Sequence, residues 1–451
     1  MSASNLRTVY TWRTGCRAVL GAPGTATVLP TRQRLTELDP TAGGALLALN
    51  AGPIAFDAVP PPPVAALLSE LVSAGSVQVS LARGERPLYT LRPFRAAPSP
   101  RPEPGPHSGV LSKFTVLRRD GDEMVAEHPR SWCDVVFHDA ETIAAVVTGS
   151  GDDEALTERL WSDLHWTGHG VPDAGTEDAE FATASWSPHE LWFHRRSTVG
   201  DRGTSWAHFG PTRWADGRFA PIPAEPDPFA SEPLALPRPD LDRLATTDVP
   251  LTRVVEERVS TRSFDDASPV TIAELGELLY RAARTRGTRV VDDAGTARTE
   301  LPSRPYPSGG SIYELELYPV VRTVAGAEPG MYHYDSVHHT LRRVADLADP
   351  AVQRLLSPAA LTLSDGELPQ VMLVLAARVG RIMWTYEQMP YAVILKHVGV
   401  LTQTLYLVAT AMGLGGVAQG YGDTAAFAAA TGRDELVECN VGTFVVGRPR
   451  R

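Results

Sequence analysis

The chain has 451 residues, 43% hydrophobic and 21% charged, apolar material for two or three cores, since single cores stop growing near roughly 250–300 residues. Forty-two Lys and Arg against 53 Asp and Glu give a formal charge of −11, which argues against a general nucleic-acid binder with a broad basic surface. Cys16, Cys133 and Cys439 stand far apart without a CxxC pair, so neither a zinc site nor a disulfide framework is expected and the reducing cytoplasm is the natural compartment. Met1–Arg13 has no long apolar h-region, and no stretch is read as reaching the roughly 20 apolar residues of a membrane span, so neither secretion nor membrane insertion is expected.

Proline divides the chain, because it removes a donor and fixes φ. One cluster holds Pro98, Pro100, Pro102, Pro104 and Pro106, and another runs from Pro221 to Pro250. They imply modules at 1–94, 109–217 and 251–451, with Pro-rich linkers at 95–108 and 218–250. In the first module Val64–Val72 reads as an amphipathic helix and Val77–Leu81 as a strand. The second opens with a strand over Val110–Leu117, a turn at 119–122 and a strand over Met124–Glu127, then helices over Thr142–Val147 and Glu154–His165, ended by Gly168 and Gly170. Hairpin plus helices suggests a winged-helix-like module, with 1–94 as a divergent copy. His189 and His194 lie i, i+5, which does not place both on one helix face as HExxH does, so no metal site is expected. His338-His339 reads as a turn between strands.

The third module carries the chemistry. Arg258, Ser260 and Arg262 in RVSTRSF precede a helix at Ile272–Ala283; two guanidiniums and a hydroxyl at i, i+2, i+4 can converge on one phosphate, the alternative being an exposed basic helix end. RPYPSGGS at 304–311 leads into a strand or short helix over Tyr313–Tyr318; its adjacent glycines would let backbone amides approach a planar ring, or form a plain turn. An apolar helix, Val398–Leu414, ends at GLGGVAQG (413–420), read as a turn whose amides could face a flavin edge, and the chain closes with Val441–Arg448.

In this order and spacing the three elements resemble the nitroreductase superfamily, and RPYPSGGSIYELELY, GMYHYD and YAVILKHVG are similar to the SagB-type dehydrogenases of thiazole and oxazole peptide maturation. WSPHELWFHRRS (186–197) resembles the segment before that family's catalytic domain. The resemblance implies an α+β chain: a C-terminal nitroreductase-like FMN-binding domain, its central mixed sheet flanked by helices, preceded by winged-helix-like α/β modules. It implies that Arg258, Ser260 and Arg262, with Arg448, hold the FMN phosphate and ribityl chain. Pro307, Ser308 and Gly309 would lie against the isoalloxazine, and Gln419 and Gly420 near its N5 edge. The implied reaction oxidises azolines to azoles in a ribosomally made precursor peptide, alongside a cyclodehydratase, in a homodimer. Such dehydrogenation needs a base over the ring. The family supplies a Lys-Tyr pair after a tryptophan; here Trp384-Thr385-Tyr386 keeps the tyrosine and replaces the lysine. Tyr386 as base or relay, or Lys396 as substitute, are the catalytic candidates. A general NAD(P)H-dependent nitroreductase or quinone reductase, and a catalytically silent scaffold, are the competing readings.

Overall fold

The computed structural model describes residues 6–102, 108–149, 151–198, 212, 214–291, 299–387 and 389–450. They fall into two compact units, Met1–Thr204 and Ser205–Arg451. Pro104 and Pro106 lie outside the described residues.

The first unit contains β1 (Leu6–Trp12), α1 (Pro40–Ala51), β2 (Ile54–Phe56), α2 (Pro62–Ser73), β3 (Val77–Arg83), β4 (Arg86–Pro93), β5 (Val116–Asp120), β6 (Glu123–Glu127), β7 (Cys133–Phe137), α3 (Ala140–Thr148), α4 (Glu154–Thr167) and α5 (Pro188–Arg196). Its seven-stranded sheet runs β2-β1-β3-β4-β7-β6-β5. The antiparallel β4–β7 pair, with Leu91 opposite Val135, joins in one sheet the two halves expected as separate modules. The expected linker is correspondingly packed: Arg101 forks onto Asp163 at 2.9 and 2.6 Å, and the Trp166 indole donates to the Ser99 carbonyl. The expected strand over Val110–Leu117 is broken. Val110–Leu111 pairs with Gly170–Val171, whereas Val116 and Leu117 open β5 opposite Glu127 and Ala126, because the Ser112 hydroxyl accepts from the Phe114 amide and turns the chain between them. Asp139 and Asp153 cap α3 and α4, which end at left-handed Gly149 and Gly168.

The second unit contains β8 (Pro233–Ala235), α6 (Leu251–Glu257), α7 (Ile272–Ala283), β9 (Leu315–Val321), β10 (Gly330–Asp335), β11 (Thr340–Asp346), α8 (Pro350–Ala360), β12 (Val371–Arg378), α9 (Val379–Thr385), α10 (Pro390–Ala411), β13 (Gly415–Gln419), α11 (Thr424–Thr431) and β14 (Glu438–Gly447). Its sheet runs β8-β11-β10-β9-β12-β14-β13. The named pairs are antiparallel; among the described residues, parallel pairing appears as short bridges, Ser260 to Gly416 and Thr271 to Ala325. β12 is buried along its whole length, as its VMLVLAA run requires. Leu315 and Leu317 face a core with α7 and α10, while Tyr318 and Val320 face α8 and α11.

Residues 218–250, expected as a linker, belong to this unit. β8 pairs with β11, and the buried Arg378 and Arg381 donate to the carbonyls of Ile222, Pro223 and Ala224. Proline lacks an N–H but keeps its acceptor, so a Pro-rich strap suits a guanidinium cluster. The capping box of Thr271 and Glu274 starts α7, and Leu275, Leu278, Leu279 and Ala282 form its buried stripe. α10 begins two turns earlier than Val398, with Pro390 in its first turn. With 22 residues it is long and apolar enough to cross a membrane, contrary to expectation, but Ile394, Leu401, Leu405 and Ala409 are buried in the protein core. GLGGVAQG is also not a turn throughout. Gly413 turns left-handed, and Gly415–Gln419 form an edge strand in which a Cβ on Gly416 would stand 2.4 Å from the Phe444 ring.

On the Tyr318 face, Glu316 is buried against Arg304 and His333, each at 3.4 Å, beside a cavity of about 130 Å³. Burial alone would raise its pKa, but Arg304, His333 and Arg378 outweigh it and hold the carboxyl at about 2. A depressed carboxyl stabilises the fold above its unfolded value and loses that contribution as pH falls through the folded one. Urea midpoints should therefore drop between pH 4.5 and about 2, by roughly 3 kcal/mol from this group. Glu316→Gln should be less stable at neutral pH and show a shallower acid limb.

Candidate functional site

The RVSTRSF segment leaves α6 at Arg258, whose backbone turns extended. Ser260 bridges Gly416, and the Thr261 amide donates to the Gly416 carbonyl at 3.0 Å. A Cβ on Gly415 would lie 2.6 Å from the Thr261 side chain, so this approach needs the glycines. The Ser260 hydroxyl lies 3.1 Å from the Tyr406 hydroxyl, which accepts the Ala418 amide at 2.8 Å, and the Arg258 guanidinium stacks 5.1 Å over the Tyr406 ring. Arg262 is exposed; its guanidinium donates to the Ser260 carbonyl at 3.4 Å, and its backbone carbonyl accepts the Ser364 amide at 2.8 Å. Among the described residues neither Arg258 nor Arg262 pairs with a carboxylate, so both forks are available to an anion. Arg448 differs: Glu274 holds its guanidinium through two bonds of 2.6 and 2.8 Å.

The PSGG element is strained. Gly310, Ser311 and Tyr313 have φ of 61°, 57° and 47°, left-handed values that are costly for the serine and tyrosine. The Ser308 hydroxyl accepts the Tyr313 amide at 3.0 Å. The Gly309 amide donates to His397 Nε2 at 2.7 Å, and Glu314 Oε1 receives His397 Nδ1 at 2.7 Å. A Cβ on Gly309 would come 3.2 Å from the Tyr386 hydroxyl and 3.4 Å from His397 Nε2. Pro307, Ser308 and Gly309 thus share one place with Tyr386 at the end of α9 and His397 on α10. Burial, and then the Glu314 charge, push the Tyr386 hydroxyl above its usual 10.0, so it stays protonated at neutral pH.

The other expected residues lie elsewhere. Lys396 is exposed on α10, one residue from the buried His397. Thr385 is buried, its hydroxyl bonded to the Arg381 carbonyl within α9. The Gln419 side chain is engaged with Thr362 and Thr443 under β13, which leaves only its backbone toward the strand edge, while Gly420 is exposed just beyond it. Sequence reasoning missed Tyr406, Glu314 and His397. His397 carried a signal: it lies within the buried 393, 397, 401, 405, 409 stripe, and a histidine inside an apolar stripe needs a polar partner.

Residues 255–448 match the model described as the nitroreductase family, and residues 109–202 match that of the cyanobactin oxidase ThcOx. A Methanocaldococcus jannaschii protein named as a nitroreductase is 31% identical over 182 residues, covering 40% of this chain and 81% of that protein. Among solved structures, one named as a nitroreductase from Ralstonia eutropha is similar at 25% identity, covering 51% of this chain and 96% of that one, with a TM-score of 0.37. The Escherichia coli microcin synthetase McbBCD complex with truncated pro-MccB17 bound is similar at 19% identity over 58% of this chain and 87% of that one, with a TM-score of 0.36.

Proposed function

The chain belongs to the nitroreductase family, and from that premise we propose that it is an FMN-dependent dehydrogenase that oxidises azolines to azoles in a ribosomally made peptide. The observation that carries the substrate class is the match of residues 109–202 to a cyanobactin oxidase model, N-terminal to the nitroreductase match that begins at 255. A compact NAD(P)H-dependent nitroreductase has no use for that appended unit. The first unit serves in this reading to hold the precursor peptide or a cyclodehydratase partner.

The residues fit the cofactor. Arg258, Ser260 and Arg262 present to a phosphate and ribityl chain a hydroxyl and two guanidiniums that pair with no carboxylate among the described residues, and Gly309, lacking a Cβ, lets its backbone lie close against Tyr386. When bound, the flavin supplies a two-electron acceptor. The protein's part is to hold the azoline ring over that acceptor and remove the Cα proton. Tyr386 enters this step as a neutral hydroxyl.

The direct test is an absorbance spectrum of purified protein followed by anaerobic addition of a thiazoline-containing peptide. Bleaching of the flavin band with loss of two hydrogens from the peptide supports the reading; a protein that takes up no flavin on reconstitution rejects it. Charge-assisted hydrogen bonds contribute about 1.5–3 kcal/mol each, so Arg258→Ala with Arg262→Ala should weaken FMN binding by roughly two to four decades in a fluorescence titration. Arg448→Ala, already committed to Glu274, should change it less than about threefold.

Positions 397 and 406 are nine residues apart on α10, roughly two and a half turns, so they face opposite sides of the helix and stand about 13 Å apart along it. The phosphate cradle at Tyr406 and the Gly309–Tyr386 turn therefore do not share one side of a single copy. A homodimer with the flavin between copies would bring the cradle of one to the turn of the other.

A further inference from the structure

We propose that His397, held by Glu314, is the proton acceptor of this site, taking up through the Tyr386 hydroxyl the proton that leaves the azoline Cα. The inference rests on the azoline reading above.

Three observations carry it. Glu314 is fully buried in the core and its Oε1 receives His397 Nδ1 at 2.7 Å. That bond fixes the tautomer, with the proton on Nδ1 and a lone pair on Nε2, and the Gly309 amide pointing at Nε2 from 2.7 Å requires the same tautomer. Second, Glu314 Oε2 has no hydrogen-bond partner among the described residues. A buried carboxylate so poorly paired gains most from a positive charge beside it, and a proton arriving on His397 Nε2 creates that charge 2.7 Å away. Third, a Cβ on Gly309 would come within 3.2 Å of the Tyr386 hydroxyl and 3.4 Å of His397 Nε2, so both groups face the same glycine, and burial and the Glu314 charge favour the protonated Tyr386 hydroxyl at rest.

The balance is simple. The Cα–H bond breaks toward the Tyr386 oxygen as the Tyr386 O–H proton passes to His397 Nε2, which gives up its bond to the Gly309 amide. The Cβ–H electron pair leaves as hydride to the oxidised flavin. The ring gains a C=C bond, and the protein ends with an imidazolium paired to Glu314. Lys396, exposed on α10 beside the buried His397, has no part in this, and His397 on α10 takes the role of the family lysine that is absent at Thr385 on α9.

The test separates a proton acceptor from a structural support. His397→Gln retains a neutral acceptor for the Gly309 amide but cannot carry the proton. With the peptide, flavin reduction in His397→Gln should fall at least about hundredfold with FMN content unchanged; a rate within twofold of wild type overturns the proposal. Independently of flavin and peptide, 15N-histidine NMR of the full-length protein, with His397 assigned by its loss in that variant, should show the Nδ1-protonated tautomer at neutral pH, shifted in Glu314→Gln. An Nε2-protonated His397 overturns the proposal whatever the activity. Failure of the wild-type protein to reduce its flavin with the peptide would sink the azoline reading instead, and the tautomer measurement would still decide for or against His397.

Discussion

Phenylalanine in place of Tyr386 leaves the FMN content unchanged and slows flavin reduction by an azoline peptide by roughly 10²–10⁴-fold, the range of a positioned proton-transfer group. The ring stays half-buried at the end of α9 with its shape preserved, so stability should change by less than about 1 kcal/mol. Only the hydroxyl beside Gly309 is lost. Because burial and the Glu314 charge raise the hydroxyl above 10.0, its protonated form persists through neutral pH. A proton taken up by a histidine gives a rate that rises with pH and then levels off; a wild-type rate that keeps climbing tenfold per pH unit up to the tyrosine's own range would mean that a small phenolate fraction does the work and that Tyr386 is the base itself. Restoring the family's lysine is not expected to help. Thr385 is buried against Arg381, whose own pKa burial, then Arg378 and Arg304, already pull down to about 10. Thr385→Lys would set a second cation in that place, and stopped-flow reduction should be no faster than in wild type.

The sequence made the second unit legible where local signals were redundant. Ile272–Ala283 has a capping box and a four-residue apolar stripe, and RVSTRSF and PSGG lie on segments held by backbone bonds to strand and helix. Less legible were features that depend on distant partners. GLGGVAQG reads as a turn because glycine favours turns, yet the missing Cβ atoms here admit Phe444 and Thr261 against an edge strand. The Pro-rich 218–250 stretch reads as a linker because proline cannot donate, while buried Arg378 and Arg381 use its carbonyls. Arg448 reads as a phosphate ligand until Glu274, 174 residues earlier, is seen to hold it. His397 sits beside the more conspicuous Lys396, and only helix phase decides which of the two is buried.

Helix phase also sets the second large effect. If the flavin lies between two copies, with the cradle from one and the Gly309–Tyr386 turn from the other, two inactive variants should restore each other. Arg258→Ala with Arg262→Ala removes the cradle, and Tyr386→Phe removes the hydroxyl. In a mixed dimer one site collects both lesions, while the other joins an intact cradle to an intact turn. Random pairing at equal amounts makes half the dimers mixed, so co-expression should recover about a quarter of wild-type flavin reduction from two copies that separately have almost none, as a closed two-fold assembly requires. A site built within one copy gives no recovery, because each chain then carries its own lesion into its own site. That outcome would require a phosphate-to-ring ligand to reach around α10, from Tyr406 to the opposite face at His397, and would replace the shared-site arrangement with a rearranged α10. Recovery near a quarter, in contrast, would tie the Arg258 and Arg262 forks and the strained 308–313 turn to the same flavin, although they stand on opposite sides of α10.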